Sequence, residues 1–348
     1  MATEKYFSNK KTYVSFILSV IVLYIHANNI HYFGEQSIKY TSFLETIVSG
    51  YIGDTVVPTF FIISGFLFYR NIDLNIAIMP QILKKWKSRI YTLLVPYFLW
   101  NLIGTMFYMF VPRIPLLGGF ISGGAVEVSL KNLALGVFHY EYYFPLWYLF
   151  YLLILVLFTP IFCKILRSRI ITSAFIFAFV VGHILRVNMP VISCSSIVFF
   201  LTGAGLSLYL PNVWLTRWKK KYAFGSVTVL GLIVLTRFLF TGSMVERFLY
   251  LVAPYFLWHS FDLLAFSKEG KGYIKQSFFI YCAHIIPLTI IEKICIRLLA
   301  VSAISSELMA SITYFVSPII TLTFLFFVYT CCSRVSPKLY SLISGGRK

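Results

Sequence analysis

The sequence predicts an all-α membrane protein, a polytopic bundle of about ten transmembrane helices with both termini in the cytoplasm. Three observations support this prediction. Hydrophobic residues make up 59% of the 348 residues and charged residues only 12%, which is more apolar than a soluble domain of this length. Apolar runs recur along the whole chain. Lysine and arginine fall in bands between these runs.

Charge and cysteine content narrow the class further. A net charge of +18 would suit nucleic-acid binding in a soluble protein. Here the basic residues flank apolar runs, so the expected partner is the lipid bilayer and not nucleic acid. The six cysteines lie mostly inside apolar runs and lack metal-ligand spacing. They are typical of small hydrophobic residues, and we expect no metal site.

Ten runs are long enough to cross a bilayer, which takes about 20 apolar residues. They cover about residues 13–33, 47–69, 90–112, 146–163, 170–186, 191–211, 223–240, 246–266, 273–296 and 308–332. The first run follows a polar start without a small-residue cleavage site. We therefore expect an uncleaved first helix rather than a signal peptide.

The basic residues predict the orientation of these spans. With the N-terminus inside, the cytoplasmic segments hold 22 of the 30 lysines and arginines and the outer loops hold 7. The remaining one, Arg237, lies within a span. Because cytoplasmic loops are enriched in these residues, both termini are predicted to be cytoplasmic. No loop is long enough to fold separately, so residues 1–348 are predicted to form a single transmembrane domain.

Two loops carry candidate binding surfaces. The cytoplasmic segment at about 76–89 contains QILKKWKSR, a basic amphipathic stretch expected to lie along the membrane surface. Its cations suit either anionic lipid heads or the phosphates of a nucleotide-bearing donor. The extracytoplasmic loop at about 113–145 ends in the aromatic run HYEYYFPLWYL. Aromatic residues there form an interfacial belt or stack on sugar rings, and Trp147 is a candidate for sugar contact.

Ionisable residues within the spans are candidate functional groups, because they are costly in a bilayer and usually face the bundle interior. His26 lies in the outer half of the first span, Asp54 at similar depth in the second and His284 near the middle of the ninth. A histidine can act as a general base toward a hydroxyl, and a carboxylate within reach would orient its ring. His26 and Asp54 are therefore candidate catalytic residues.

Structural explanations exist for the same residues. His26 could be a buried histidine that is hydrogen-bonded to a neighbouring helix, and Asp54 a helix-start residue or the partner of an outer arginine. At about 100° per residue, Asn29 shares a helical face with His26 and is a candidate neighbour in one site. His31 lies closer to the outer water and is expected to be interfacial.

A short internal repeat suggests another class of function. PYFLW occurs at 96–100 and again at 254–258, in spans that run in opposite directions. Inverted repeats and polar groups near the midplane are typical of transporters. A small-molecule permease is therefore an alternative to an enzyme.

Four motifs carry a family resemblance. They are VPTFFIISGFLFYRN (57–71), KKWKSRIYTLLVPYFLWN (84–101), PLWYLFYLLILVLFTPIF (145–162) and SFFIYCAHIIPL (277–288). In this order and spacing the chain resembles the acyltransferase 3 family of bacterial membrane-bound O-acyltransferases, including the branch similar to fucose 4-O-acetylases. The resemblance covers nearly all of the chain.

The resemblance implies transfer of an acyl group, usually acetyl, from cytoplasmic acetyl-CoA to a hydroxyl of an extracytoplasmic glycan or lipid-linked sugar. It also implies a multi-pass protein of the bacterial inner (cytoplasmic) membrane. The family's essential histidine matches His26 in YIHA, and the histidine of its late helix matches His284, which we expect to contact the substrate. The family's arginine before the PY motif matches Arg89. Together with Lys85 and Lys87, Arg89 is expected to bind the acyl-CoA.

The chain departs from the family pattern at two arginines. Ser15 stands eleven residues before His26, where members commonly carry arginine, and Trp86 stands three residues before Arg89 in place of another. Lys10, Lys11 and Lys85 are candidates to replace these charges, without the bidentate grip of a guanidinium group. The missing arginines also suggest a third reading, a member without activity that assists polysaccharide export.

Overall fold

The computed structural model describes residues 2–121, 124–270, 272–302 and 304–346. It is 81% helical, and no strand occurs among these residues, which confirms the predicted all-α class. All six cysteines are free thiols. Three basic residues used for the orientation, Lys271, Arg347 and Lys348, lie outside the described residues.

The chain forms two compact units, each assembled from three segments. The first unit comprises Met1–Ser15, Asp54–Arg89 and Tyr151–Gly270. The second comprises Phe16–Gly53, Ile90–Phe150 and Lys271–Lys348. Helices Ala2–His26 and Trp147–Leu157 contribute residues to both.

The first unit is centred on the packing of helix Val56–Tyr69 against helix Cys194–Tyr209. Glycines on both helices face the partner's backbone: a Cβ atom on Gly65 would overlap Phe200, and one on Gly203 would overlap Ile62. Small residues of this kind let two helices approach closely. The other main helices of this unit are Ile78–Arg89, Thr159–Ile165, Arg169–Ile184, Lys220–Leu239 and Met244–Ser260.

The second unit holds the C-terminal helices. Helix Ile285–Ala300 packs against the long helix Ser306–Val335, and helix Val95–Phe110 packs against Leu130–His139. The remaining helices of this unit include Ile30–Phe33, Lys39–Glu45, Ser277–Ala283 and Pro337–Ile343.

Every predicted span falls on helical segments, but within the described part of the chain fewer than ten helices are long enough to cross a membrane. Five are long and apolar enough: Thr3–Phe33, Lys39–Tyr69, Ile78–Arg113, Lys220–Leu239 and Ser306–Val335. Two bent pairs raise the number to seven. Two further apolar helices, Arg169–Ile184 and Cys194–Tyr209, have only 16 residues each. The structure thus supports a polytopic protein with five to seven candidate spans by length and composition.

The basic segment at about 76–89 forms a helix, as expected, with bounds Ile78–Arg89. It continues without a break into the next span, giving one helix of 36 residues from Ile78 to Arg113. At 1.5 Å per residue this helix is about 54 Å long, well beyond the ~30 Å hydrocarbon core. The segment therefore continues directly into a predicted span, and its position along the membrane surface stays a prediction.

The two PYFLW segments occupy different places in their helices. The first lies near the middle of the continuous helix Ile78–Arg113, whereas the second lies near the C-terminal end of Met244–Ser260. Equivalent segments of a repeat would occupy the same place. The pentapeptide therefore gives no support to an inverted repeat.

Candidate functional site

A cavity of about 280 Å³ lies within the second unit. Most of its wall is aromatic or aliphatic, and the imidazole and carboxyl side chains in the wall are those of His26, His31 and Glu292. An apolar cavity with a few convergent polar groups is the usual form of a small-molecule site, and this volume is near the lower end, about 300 Å³, of such sites. The cavity is therefore the candidate functional site.

His26 reaches the cavity because it is the last residue of helix Ala2–His26. Its ring lies 5.1 Å from the ring of His284, centroid to centroid, with an angle of 30° between the two ring planes. On another side the ring of Phe144 meets it edge-on at 5.3 Å. The structure thus brings together two predicted site residues, His26 and His284, within one unit.

His284 lies at a bend of 80° between helices Ser277–Ala283 and Ile285–Ala300. Pro287 explains the bend, because proline has no N–H to donate to the carbonyl four residues earlier. The His284 Nδ1 lies 2.7 Å from the Tyr281 carbonyl, which can only accept, so Nδ1 carries the proton. In the neutral ring Nε2 is then an acceptor, and it is buried without a hydrogen-bond partner among the described residues.

Glu292 is a site residue that the sequence reasoning missed. It lies two turns beyond His284 on helix Ile285–Ala300 and lines the cavity, with only 2% of its surface exposed. Its Oε1 atom has no hydrogen-bond partner within the described part of the chain. The signal that identifies it is simple: an acidic residue inside the apolar run 273–296, where a charge is costly.

His31 and Trp147 lie in different surroundings. His31 is exposed and contacts Tyr32, as expected for an interfacial residue, but it also lines the cavity. Trp147 is half-buried at the start of helix Trp147–Leu157. The nearby Phe144 belongs to the described cavity wall and Trp147 does not, so contact between Trp147 and a sugar stays a prediction.

Asn29 anchors the segment that follows His26 through two hydrogen bonds. Its backbone N–H donates to Glu45 Oε1 at 3.0 Å, and its Nδ2 donates to the Ala310 carbonyl at 3.0 Å. The expectation that it shares a helical face with His26 is wrong, because the helix ends at His26. Asn29 is fully buried and lies outside the described cavity wall, so its part in binding substrate stays a prediction.

Asp54 forms an ion pair in the first unit. Its Oδ2 atom lies 2.9 Å from Nη2 of the buried Arg237, which is also 2.9 Å from Glu246 Oε1. This contact supports the interpretation of Asp54 as the partner of an arginine, although Arg237 belongs to a predicted span and not to an outer loop. Its role in orienting His26 stays a prediction.

The predicted donor-binding residues lie at the end of helix Ile78–Arg89 in the first unit. Lys87 is exposed, and the half-buried Lys85 donates from Nζ to the Arg70 carbonyl at 2.9 Å. The Arg89 guanidinium lies 6.0 Å from the centroid of the Phe68 ring. Lys85 and Arg89 thus each have a contact within the first unit. The role of all three cations in donor binding stays a prediction.

The comparison with protein families decides the class of the chain. A family model described as an acyltransferase domain matches residues 13–335, which is most of the sequence. The chain belongs to the acyltransferase 3 family. Its members are acyltransferases, so this protein is a membrane acyltransferase, and the resemblance is confirmed at that level. Comparisons with curated proteins and with solved structures find no match.

One departure from the family pattern, Trp86, has a structural explanation, and the contacts of Lys10 bear on the other. Trp86, in place of a family arginine, donates from Nε1 to the Val156 carbonyl at 2.9 Å and so anchors its helix. Lys10, a candidate to replace the arginine missing at Ser15, is buried and pairs with Asp262 at 2.7 Å. Its charge is therefore already balanced within the first unit of the acyltransferase.

Proposed function

We propose that this acyltransferase moves an acyl group, in the first place acetyl, from acyl-CoA to a hydroxyl of a glycan or lipid-linked sugar. The observation that supports the proposal is the cavity in the second unit, with His26 in its wall and the His284 ring beside it. A base at the wall of a small cavity has the arrangement that hydroxyl activation requires.

In the proposed reaction His26 accepts the proton of the acceptor hydroxyl as its oxygen attacks the thioester carbonyl. A carbon–oxygen bond forms, the carbon–sulfur bond breaks, and the proton held by His26 goes to the departing CoA thiolate. His284 stands beside this base with its Nε2 lone pair available, and its Tyr281 hydrogen bond keeps the ring in one tautomer. It would hold the acceptor or His26 in position.

The proposal assigns the donor to the first unit. Arg89, Lys85 and Lys87 would bind the phosphates of acyl-CoA, with the planar guanidinium of Arg89 suited to a bidentate contact. The distribution of basic residues supports a cytoplasmic position for this helix, and the membrane we propose is the inner membrane of a bacterium. The acceptor would then lie on the extracytoplasmic side, as in the branch similar to fucose 4-O-acetylases.

The assay of the proposed base uses membranes, labelled acetyl-CoA and an isolated cell-envelope glycan. His26→Ala should lower transfer of label about 10²-fold or more, because general-base catalysis contributes roughly that factor. The matched control is His139→Ala, since His139 is an exposed histidine of the same unit outside the described cavity wall. Equal transfer by the His26→Ala variant and the parent protein would refute the proposed role.

The assay of the donor site measures KM for acetyl-CoA in the same membranes. Arg89→Ala should raise this KM about tenfold or more, because a charge-assisted hydrogen bond contributes about 1.5–3 kcal/mol. Lys220→Ala is the control, since Lys220 is an exposed cation of the first unit. An unchanged KM together with weaker binding to anionic vesicles would assign Arg89 to lipid heads instead.

A further inference from the structure

We infer that Glu292 is an acceptor-positioning residue that binds a second hydroxyl of the acceptor while the first is activated at His26. This inference rests on the proposed function and deepens it. It predicts that the cavity selects ring alcohols with two hydroxyl groups over those with one.

The first argument is the cost of the buried carboxyl group. Glu292 is almost completely buried, and its Oε1 lacks a hydrogen-bond partner among the described residues. A buried polar group without a partner costs about 1–3 kcal/mol, so such groups are normally satisfied. Because Glu292 lines a cavity, the molecule that fills the cavity is the natural source of the missing hydrogen bond.

The second argument is the surroundings of the carboxyl group. Glu45 lies near enough to act on it electrostatically and has the same sign when ionised, so it does not offset the cost of burial. A hydroxyl does offset it in either protonation state, because a carboxylate accepts from a hydroxyl and a carboxylic acid can also donate to one.

The third argument is the arrangement of the wall. Ile285, Thr289 and Glu292 follow one face of helix Ile285–Ala300 and line the cavity. His284 begins this stretch, and its ring lies beside that of His26. Helical side chains lean toward the N-terminus, which carries the Glu292 carboxyl group back toward that end. Besides His31, two tyrosines and Thr289, the wall thus presents His26 near the start of this helix face and Glu292 two turns further on, with apolar surface among them, which matches a ring with hydroxyls at its rim.

The aromatic side chains of the cavity fit the same kind of molecule. Phe107, Phe120 and Phe144 contribute ring surfaces to the wall. Such surfaces bury the apolar C–H faces of a saturated ring, while its hydroxyls reach the polar groups. A long-chain alcohol would use the apolar wall but leave Glu292 without a partner.

The test uses two probes that differ by one hydroxyl, trans-1,2-cyclohexanediol and cyclohexanol, with labelled acetyl-CoA and proteoliposomes. Each probe is measured as an acceptor and as a competitor of transfer to the envelope glycan. The parent should prefer the diol at least tenfold in kcat/KM or in inhibition constant, because a site built to bind a hydroxyl rejects the analogue without it. Glu292→Leu should remove this preference by weakening the use of the diol while the use of cyclohexanol stays the same. Glu292→Gln should retain part of the preference.

Retained use of cyclohexanol by Glu292→Leu shows that the variant is folded. Glu127→Leu is the control, since Glu127 is an exposed carboxylate of the same unit, and it should change neither probe. An equal loss for both probes, or an unchanged preference, would overturn the inference. If the parent treats the probes alike but still acetylates the glycan, the inference fails and the proposed function stands. If the parent acetylates neither the probes nor the glycan, the proposed function itself fails.

Discussion

Lys10 and Asp262 form a buried ion pair that anchors the start of the first helix. The Asp262 carboxylate also accepts from the Tyr6 hydroxyl at 2.6 Å and lies 3.1 Å from His259 Nδ1. The Lys10 ammonium lies 4.2 Å from the centroid of the Trp258 ring. Asp262 and Trp258, from a segment about 250 residues away in the sequence, thus hold one lysine, which favours a structural role for it.

Removing one partner of this pair should destabilise the protein. Lys10→Met leaves Asp262 buried without its cation, and breaking a buried pair in this way costs about 3–5 kcal/mol. Thermal unfolding in detergent should show a lowered Tm for Lys10→Met and little change for the exposed Lys5→Met. The double variant Lys10→Met with Asp262→Leu should recover part of the loss. A variant with the parent's Tm but a raised KM for acetyl-CoA would instead place Lys10 in donor binding.

The sequence identified some site residues and missed others for physical reasons. His26 was found because a histidine in an apolar run is rare, and His284 followed from the same rule. Glu292 obeys that rule too, but only the structure shows that it shares a cavity with His26. The partners of Asp54 and Lys10 lie 183 and 252 residues away, so no local pattern predicts them.

At the scale of elements, Arg297 fixes the rim of the cavity. Its Nη2 donates to the Gly119 carbonyl at 2.7 Å, and its guanidinium lies 4.1 Å from the centroid of the Phe120 ring. Phe120 and Ile121 line the cavity, so one side chain of helix Ile285–Ala300 holds the chain that follows helix Pro115–Gly118.

Loosening this rim should weaken acceptor binding more than catalysis. Arg297→Ala removes a charge-assisted hydrogen bond of about 1.5–3 kcal/mol, part of which supports the cavity wall. We expect KM for the acceptor to rise about threefold to tenfold, with kcat and KM for acetyl-CoA nearly unchanged. Arg113→Ala, at an exposed arginine of the same unit, is the control. A fall in kcat at constant KM would contradict this account.

Periodicity and hydropathy predicted the helices well, because both depend on local sequence. The positions at which helices bend or end were harder to predict. The bend at His284 follows from Pro287, but its 80° angle depends on how the two helices pack. The first helix ends at His26, so Asn29 does not lie on the expected helical face. No proline or glycine occurs at 27–29, so these two residue types do not mark the helix end in the sequence.

At the scale of the whole molecule, the number of spans is the main difference between sequence and structure. Helices Arg169–Ile184 and Cys194–Tyr209 have 16 residues each, about 24 Å at 1.5 Å per residue, against a hydrocarbon core of about 30 Å. They follow each other directly and pack together. Either both cross the membrane or neither does, and the orientation of all later spans is the same in both cases.

The side of the membrane on which the connection between these two helices lies therefore shows whether they cross. The side on which the C-terminus lies does not, because it is the same in both cases. We expect both helices to cross, with local thinning of the bilayer, because such a mismatch costs only fractions of a kcal/mol per Å. Asn188 lies exposed in this connection and should then face outward. In a variant with all six native cysteines replaced, Asn188→Cys should react with a membrane-impermeant maleimide in intact cells.

Two further cysteine variants calibrate the experiment. Glu127→Cys lies in the predicted outer loop and should react in intact cells, whereas Asn75→Cys lies in the predicted cytoplasmic loop and should react only after lysis. If Asn188→Cys behaves like Asn75→Cys, the two short helices remain on the inner side and the ten-span prediction is wrong. If Glu127→Cys and Asn75→Cys exchange their behaviour, the distribution of basic residues does not set the orientation of this acyltransferase.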